Sequence, residues 1–322
     1  MIVRSRPVES QSMEEASIQP SVIEPLGPAV ERVKTLLFRP FEKDEPMNKN
    51  RITLWTTCLT LCCLCLCACS EVAITGRSQL NFMPDSVMSS MSLQHYQTFL
   101  KENKTSTDAQ QTERVQRVGR RIAQAITDYC RMRGIQSELQ GYDWEFNLVD
   151  SNDINAWAMP GGKVVVYTGL LAVAQTEADL AVVMGHEVAH VFAKHGAERM
   201  SYNYTAQFGG MALAKAIEEK SEATQKLFLG AFGLGAQVGV MLPFSRLHES
   251  EADRLGLIFM AMAKYNPEVS IPFWQRMAQA KDGQGQPPEF LSTHPSDQTR
   301  INRLRRYMDE ARDYYQRALR NG

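Results

Sequence analysis

Thr176-Glu177-Ala178-Asp179-Leu180-Ala181-Val182-Val183-Met184-Gly185-His186-Glu187-Val188-Ala189-His190 is the stretch on which the reading of this chain turns. Thr176 and Asp179 have capping-box spacing, and apolar residues continue beyond His190, which predicts a long helix starting near Thr176. On such a helix His186 and His190 stand about 400° apart, so both project from one face, one turn from each other. Two imidazole nitrogens so placed can each reach a zinc ion at about 2.0–2.1 Å. Glu187 lies beside the first of them, where its carboxylate can act as base toward an attacking water. The plainer reading is a helix with two partly buried histidines and a surface glutamate, and a third ligand is the test between the two.

Working outward, the positions three and six residues after His190 hold Ala193 and Gly196, which excludes the metzincin pattern. A carboxylate on a second helix is the remaining common solution. Glu249 and Asp253 are four apart and share a helical face, whereas Glu251 is about 200° around from Glu249. Glu249 is therefore read as the third ligand. Asp253 is read as the group that accepts the free N–H of a ligating histidine and so sets its tautomer. Glu251 is read as a solvated charge. His195 falls about 140° off the ligand face of a continuous helix, and neither it, His248 nor His95 is assigned to the metal.

Around this pair of segments the pattern is mainly helical with a few strands. Helices are expected over 85–100 and 108–132, the second with Val115, Val118, Ile122, Ile126 and Tyr129 stepping by three and four and Gly134 beyond its end. Cys130 beside that stripe reads as core filler. Residues 144–149 alternate like a half-buried strand, and Pro160-Gly161-Gly162 marks a turn before the β-branched run 163–168. Residues 227–242 are apolar and glycine-rich. Being short of a bilayer span and containing Gln237, they are read as a buried helix. Further helices are expected over 246–264, 267–281 and from 295 onward. The fold class is α+β, mainly α-helical, with no internal repeat.

Taken together, Asn155-Ala156-Trp157-Ala158-Met159-Pro160-Gly161-Gly162, then His186 to His190, then Glu249-Ser250-Glu251-Ala252-Asp253, then His294-Pro295 resemble the M48 metallopeptidases over residues 80–318. Lacking multiple spans, the chain looks like the periplasmic lipoprotein branch of that family. The resemblance implies a zincin-like domain, residues 85–322, with a small β-sheet whose edge strand lines the cleft. It implies one Zn²⁺ per chain on His186, His190 and Glu249, with Glu187 as base. It also implies His294 and Arg300 as catalytic groups that stabilise the oxyanion, His294 being able in some members to approach and block the metal. Without it the two would read as a turn histidine and a solvated arginine. Asn155, Ala156, Met159 and Gly161 are the implied substrate-binding positions. The strand after Pro160 is expected to hold an extended peptide along an exposed edge.

The start of the chain reads as an address. A short basic stretch after Met47 precedes the apolar residues 52–68, and Leu66-Cys67-Ala68-Cys69 resembles a lipobox, so 47–68 are expected to be a lipoprotein signal peptide and Cys69 the lipidated residue. Residues 69–84 read as a linker. Residues 1–46, with six prolines and no sustained periodicity, read as a disordered upstream extension, translation then beginning at Met47. The alternative is a cytoplasmic tail on an uncleaved anchor. Six of the seven cysteines crowd into 58–69, leaving Cys130 alone, so no disulfide framework is expected unless Cys130 reaches back to them.

The 35 basic and 36 acidic side chains give a net charge of −1, which excludes a general electrostatic hold on nucleic acid. The expected partners are polypeptide substrates, the membrane through the lipid anchor, and envelope assembly machinery. The expected place is the periplasmic side of a bacterial membrane, the outer one by preference. The function so read is hydrolysis of unfolded or misassembled envelope proteins. The alternative is an assembly factor or chaperone with a gated, largely latent protease site.

Overall fold

Asp108 and Gly134 bracket the first long helix as their chemistry requires. The computed structural model describes residues 69–280, 285–294 and 298–320. The extension expected over 1–46, the signal peptide expected over 47–68, and Pro295 lie outside the described residues. Helix α1 covers Asp85–Glu102 and α2 covers Ala109–Arg133. The Asp108 side chain accepts from the Gln111 N–H at 2.9 Å. At the far end Gly134 takes φ 69, and its N–H bonds back to the last turn. The α2 stripe Val115, Val118, Ile122 and Ile126 is fully buried.

Strands β3 (Glu145–Val149), β4 (Ala156–Met159) and β5 (Lys163–Tyr167) form one sheet in the order β3-β5-β4. β3 runs parallel to β5 and β4 antiparallel to it. The turn between β4 and β5 needs Gly161 and Gly162, both at φ 85. Two expectations change here. The strand after Pro160 is the central one, with Lys163 to Val166 buried, so the edges belong to β3 and β4 instead. β3 is also more than half-buried, with Leu148 and Val149 both at 1% exposure. The reason is a second layer: Tyr96 of α1 packs with Val149 and Val165 on the face opposite the main core.

Helix α3, Glu177–Phe192, is capped by reciprocal bonds, Asp179 N–H to Thr176 Oγ1 at 3.1 Å and Thr176 N–H to the Asp179 carboxylate at 2.9 Å. It ends where Lys194 turns the chain at φ 56, and α4 follows as His195–Ala216. Helix α5, Glu222–Ala236, continues through a π-turn, Gln237–Met241, into α6, Leu242–Met262. Then come α7 (Ser270–Gln279), α8 (Glu289–Thr293) and α9 (Gln298–Arg320). Phe192, Phe259, Trp274, Phe290 and Leu304 join these helices to α2 and the sheet in one core. Cys130 is fully buried in that core, and burial pushes its thiol up to about 11.

The buried helix expected over 227–242 is instead exposed. Leu227 and Leu234 are each 69% exposed, and Phe228, Val238 and Val240 are exposed with them. An added Cβ at Gly230, Gly233, Gly235 or Gly239 would meet nothing within 4 Å among the described residues. The continuous helix Glu222–Met262 is long and apolar enough to cross a membrane by length and composition, with mean hydropathy 1.7 in its most apolar window and none of that window buried. Apolar composition does not say which element, if any, will cover it.

The linker expected over 69–84 also differs. β1 (Cys69–Glu71) and β2 (Ser78–Leu80) pair as an antiparallel hairpin. Val72 at its tip side enters the main core at 2% exposure, so the hairpin is an integral part of the domain.

Helices α3 and α6 approach most closely at a glycine pair. A Cβ at Gly256 would lie 2.9 Å from the His186 backbone nitrogen, and one at Gly185 would lie 2.9 Å from the Gly256 carbonyl oxygen. That contact sets the distance between the histidine and carboxylate helices. Gly256→Ala is expected to cost about 1–3 kcal/mol through overpacking. A lowered urea midpoint at unchanged m-value would show it, and a wild-type midpoint would refute the close-contact account.

Candidate metal centre

His186 and His190 sit on the inner face of α3 and Glu249 on the facing side of α6. Their donor atoms converge: His186 Nε2 lies 3.1 Å from His190 Nε2 and 3.4 Å from Glu249 Oε2, and His190 Nε2 lies 3.2 Å from Glu249 Oε1. His294, at the end of α8, completes the group, its Nδ1 2.9 Å from Glu249 Oε1 and 3.2 Å from His186 Nε2. All four donors lie within 4.8 Å of one another. Ligands at about 2.0–2.1 Å from one tetrahedral ion stand about 3.3–3.4 Å apart, so this set has the size of a zinc site. The donor chemistry agrees, because imidazole and carboxylate suit zinc.

The charges are arranged for a cation. Glu249 is held well below the usual carboxylate range: burial opposes this, and hydrogen bonds from His186, His190 and His294 outweigh it. Burial drives His190 well below its ordinary value, which favours a neutral ring. For His186, burial and Arg300 press downward, but Asp253 and Glu249 raise it to about 9. A metal ion at this point would replace the proton on that ring. Burial raises Glu187. Its Oε1 is buried without a hydrogen-bond partner among the described residues, with His294 Nε2 at 3.4 Å.

Asp253 lies where the helical-face argument put it, its Oδ1 3.2 Å from His186 Nδ1. Arg300, expected beside the metal, lies against the cluster, its Nη2 3.1 Å from His186 Nδ1 and its Nη1 3.9 Å from Glu249 Oε2. It is fully buried behind His186, with its Nη2 2.6 Å and Nε 3.0 Å from Asp253 Oδ1, and its Nη1 donates to the His294 carbonyl at 3.1 Å. Its guanidinium lies over the Trp274 ring at 3.5 Å from the centroid. Arg300 thus holds the Asp253 carboxylate and the His294 carbonyl at once. His294 sits among the donor atoms of the cluster, as the resemblance allowed.

A cleft of about 730 Å³ opens in front of these residues, walled by Asn155, Ala156, Trp157, Ala158 and Gly161 of the β4 region and by Glu187, Glu249 and His294. Asn155, Ala156 and Gly161 therefore line it as expected, and Met159 does not. Among the described residues β4 pairs with β5 alone, leaving its other edge beside the cleft.

The sequence reading missed a second polar cluster. Glu251 is buried at 6% exposure and not solvated. It faces His195 and the β1–β2 hairpin, since α6 is covered on that side too. His195 lies 2.9 Å from His190, nitrogen to nitrogen. The angular argument against His195 assumed an unbroken helix, and the turn at Lys194 removes that premise. Burial pushes His195 well below its ordinary value. The spacing of Glu251 from Glu249 held no signal for this; only the chain reversal brings the groups together.

The family model described as Peptidase family M48 matches residues 109–308. The mitochondrial metalloendopeptidase OMA1 of Schizosaccharomyces pombe is 34% identical over 175 residues, 54% of this chain and 50% of that protein. The Bos taurus metalloendopeptidase OMA1 is 33% identical over 243 residues, 74% of this chain and 46% of the relative. The beta-barrel assembly-enhancing protease of Yersinia pestis is 31% identical over 169 residues, 50% of this chain and 34% of the relative. The chain spans half or less of the length of each of these relatives. The matched span holds α2, both histidines of α3, Glu249 and Asp253 of α6, and His294, and on that ground the chain belongs to peptidase family M48.

Proposed function

We propose that this chain is a zinc-dependent endopeptidase whose site rests in a gated state. The observation that carries this is the convergence of His186, His190, Glu249 and His294 on one point beside an open cleft. Zinc, when bound, supplies a Lewis acid for the scissile carbonyl. His186, His190 and Glu249 would hold it. Glu187, buried and with a raised carboxyl, takes the proton of the attacking water and returns it to the departing amine. The β4 edge holds an extended substrate through its backbone, which suits unfolded chains over any one sequence.

Four protein ligands make a closed site, whereas a catalytic one keeps a position open. His294 is the ligand supplied by the short helix α8, so its withdrawal opens the site while His186, His190 and Glu249 stay on the long helices. This supports the second reading as well: an envelope assembly factor or chaperone whose protease is largely latent. The bacterial relatives' name, beta-barrel assembly-enhancing protease, supports an envelope setting and unfolded or misassembled substrates. We place the protein on the periplasmic side of a bacterial membrane, the outer one by preference, through lipid on Cys69. The intact mass of the mature protein tests that, and a free N-terminus at Cys69 or no cut there would refute it.

The test of function is zinc content and casein cleavage, each with and without chelator, in wild type and His294→Ala. Expected are about one zinc per chain, cleavage abolished by chelator, and faster cleavage in His294→Ala with zinc retained. Slower cleavage in His294→Ala would remove the gate. Absence of zinc from the wild type would remove the metallopeptidase reading.

A further inference from the structure

His190 faces the metal point with Nε2 and turns Nδ1 the other way. Behind it stands His195, 1% exposed, its Nδ1 2.9 Å from His190 Nδ1 and its Nε2 3.0 Å from Glu251 Oε2. An ionised carboxylate can only accept, so His195 donates from Nε2 to Glu251. A neutral His195 then presents a bare Nδ1, which accepts the proton on His190 Nδ1. This leaves the lone pair of His190 on Nε2, among the other ligand atoms.

We propose that His195, held by Glu251, is the positioning residue that fixes the tautomer and ring orientation of His190, as Asp253 does for His186. The centre thus has two supports, one behind each histidine of α3. The His195 support continues to the N-terminal hairpin. Glu251 accepts from Arg77 Nε at 2.7 Å and from the Thr75 hydroxyl, and Arg77 forks onto Glu198 at 2.9 and 2.7 Å. The His195 and His248 rings stack at 4.1 Å, and His248 Nε2 lies 2.8 Å from Glu198. The segment just after Cys69 therefore braces a metal-facing histidine through two side chains.

The inference rests on the metal-centre reading, so the test measures zinc directly. Zinc dissociation constants from chelator competition, and the absorption of the cobalt(II) form, are compared among wild type, His195→Leu, His195→Gln and Glu251→Met, with thermal melts of each metal-free protein. His195→Leu is expected to weaken zinc about 10–100-fold and to alter the cobalt spectrum. His195→Gln has a carbonyl to accept from His190 and an amide to donate to Glu251, and is expected to recover most of the affinity. A role in packing alone would predict no such rescue. Glu251→Met keeps the length of the side chain but offers His195 no oxygen, and serves where the leucine variant does not fold. It is expected to weaken zinc about tenfold. Wild-type affinity and cobalt spectrum in a folded His195→Leu, or wild-type affinity in Glu251→Met, would overturn the inference and leave the metallopeptidase reading standing. A wild type that takes up no zinc would remove both.

Discussion

Glu187→Gln is expected to keep its zinc and to lose casein cleavage by about 10²–10⁴-fold, the range for removing a general base. The carboxyl is buried beside His186, with one oxygen unpartnered among the described residues, and burial raises its pKa. The amide has the same shape but cannot take a proton. Metal analysis and casein hydrolysis on one preparation check it. Cleavage at the wild-type rate by Glu187→Gln would strip that residue of its role. His186→Ala is the contrasting variant: it removes a ligand, so zinc and cleavage should be lost together.

Asp253→Ala carries the largest expected cost in stability. Arg300 is fully buried and its guanidinium is held by the Asp253 carboxylate at 2.6 and 3.0 Å. Deleting that carboxylate strands a buried positive charge, for which about 3–5 kcal/mol is the usual loss. The same change takes the acceptor from His186 Nδ1, so zinc affinity should fall about 10–100-fold in whatever remains folded. A urea titration of the metal-free protein isolates the first effect, and chelator competition the second. A midpoint shift no larger than that of an exposed Asp309→Ala control would show that Arg300 does not depend on Asp253.

Much of the centre was legible because its parts are local. His186, Glu187 and His190 fall within one and a half turns of a helix whose start is written in Thr176 and Asp179. The periodicity of α3 and α6 also separated Glu249 and Asp253 from Glu251. What periodicity gives is direction around an axis, and it stops at the surface of the helix. It pointed Glu251 away from the metal correctly, but could not show that the away side is also covered, by the hairpin of β1 and β2. It kept His195 off the metal, and the donor group leaves it out, but it could not set it behind His190, because one residue in the left-handed region, Lys194, restarts the helical phase. For Arg300 the family resemblance supplied nearness to the metal. It did not supply the side from which the residue approaches, which the Trp274 ring and Asp253 decide.

By itself the sequence determined α1, α2 and the start of α3, the caps of α2 and α3, and the histidine pair, since each depends on contacts within about one turn of chain; α4 and α8 it did not show. Tertiary structure alone decided that β4 is the edge strand beside the cleft, that residues 227–242 stay exposed, that the His294 ring falls among the donor atoms, and that His195 stands behind His190. Those outcomes depend on which distant surfaces meet, and a buried or a bare apolar face is written with the same residues.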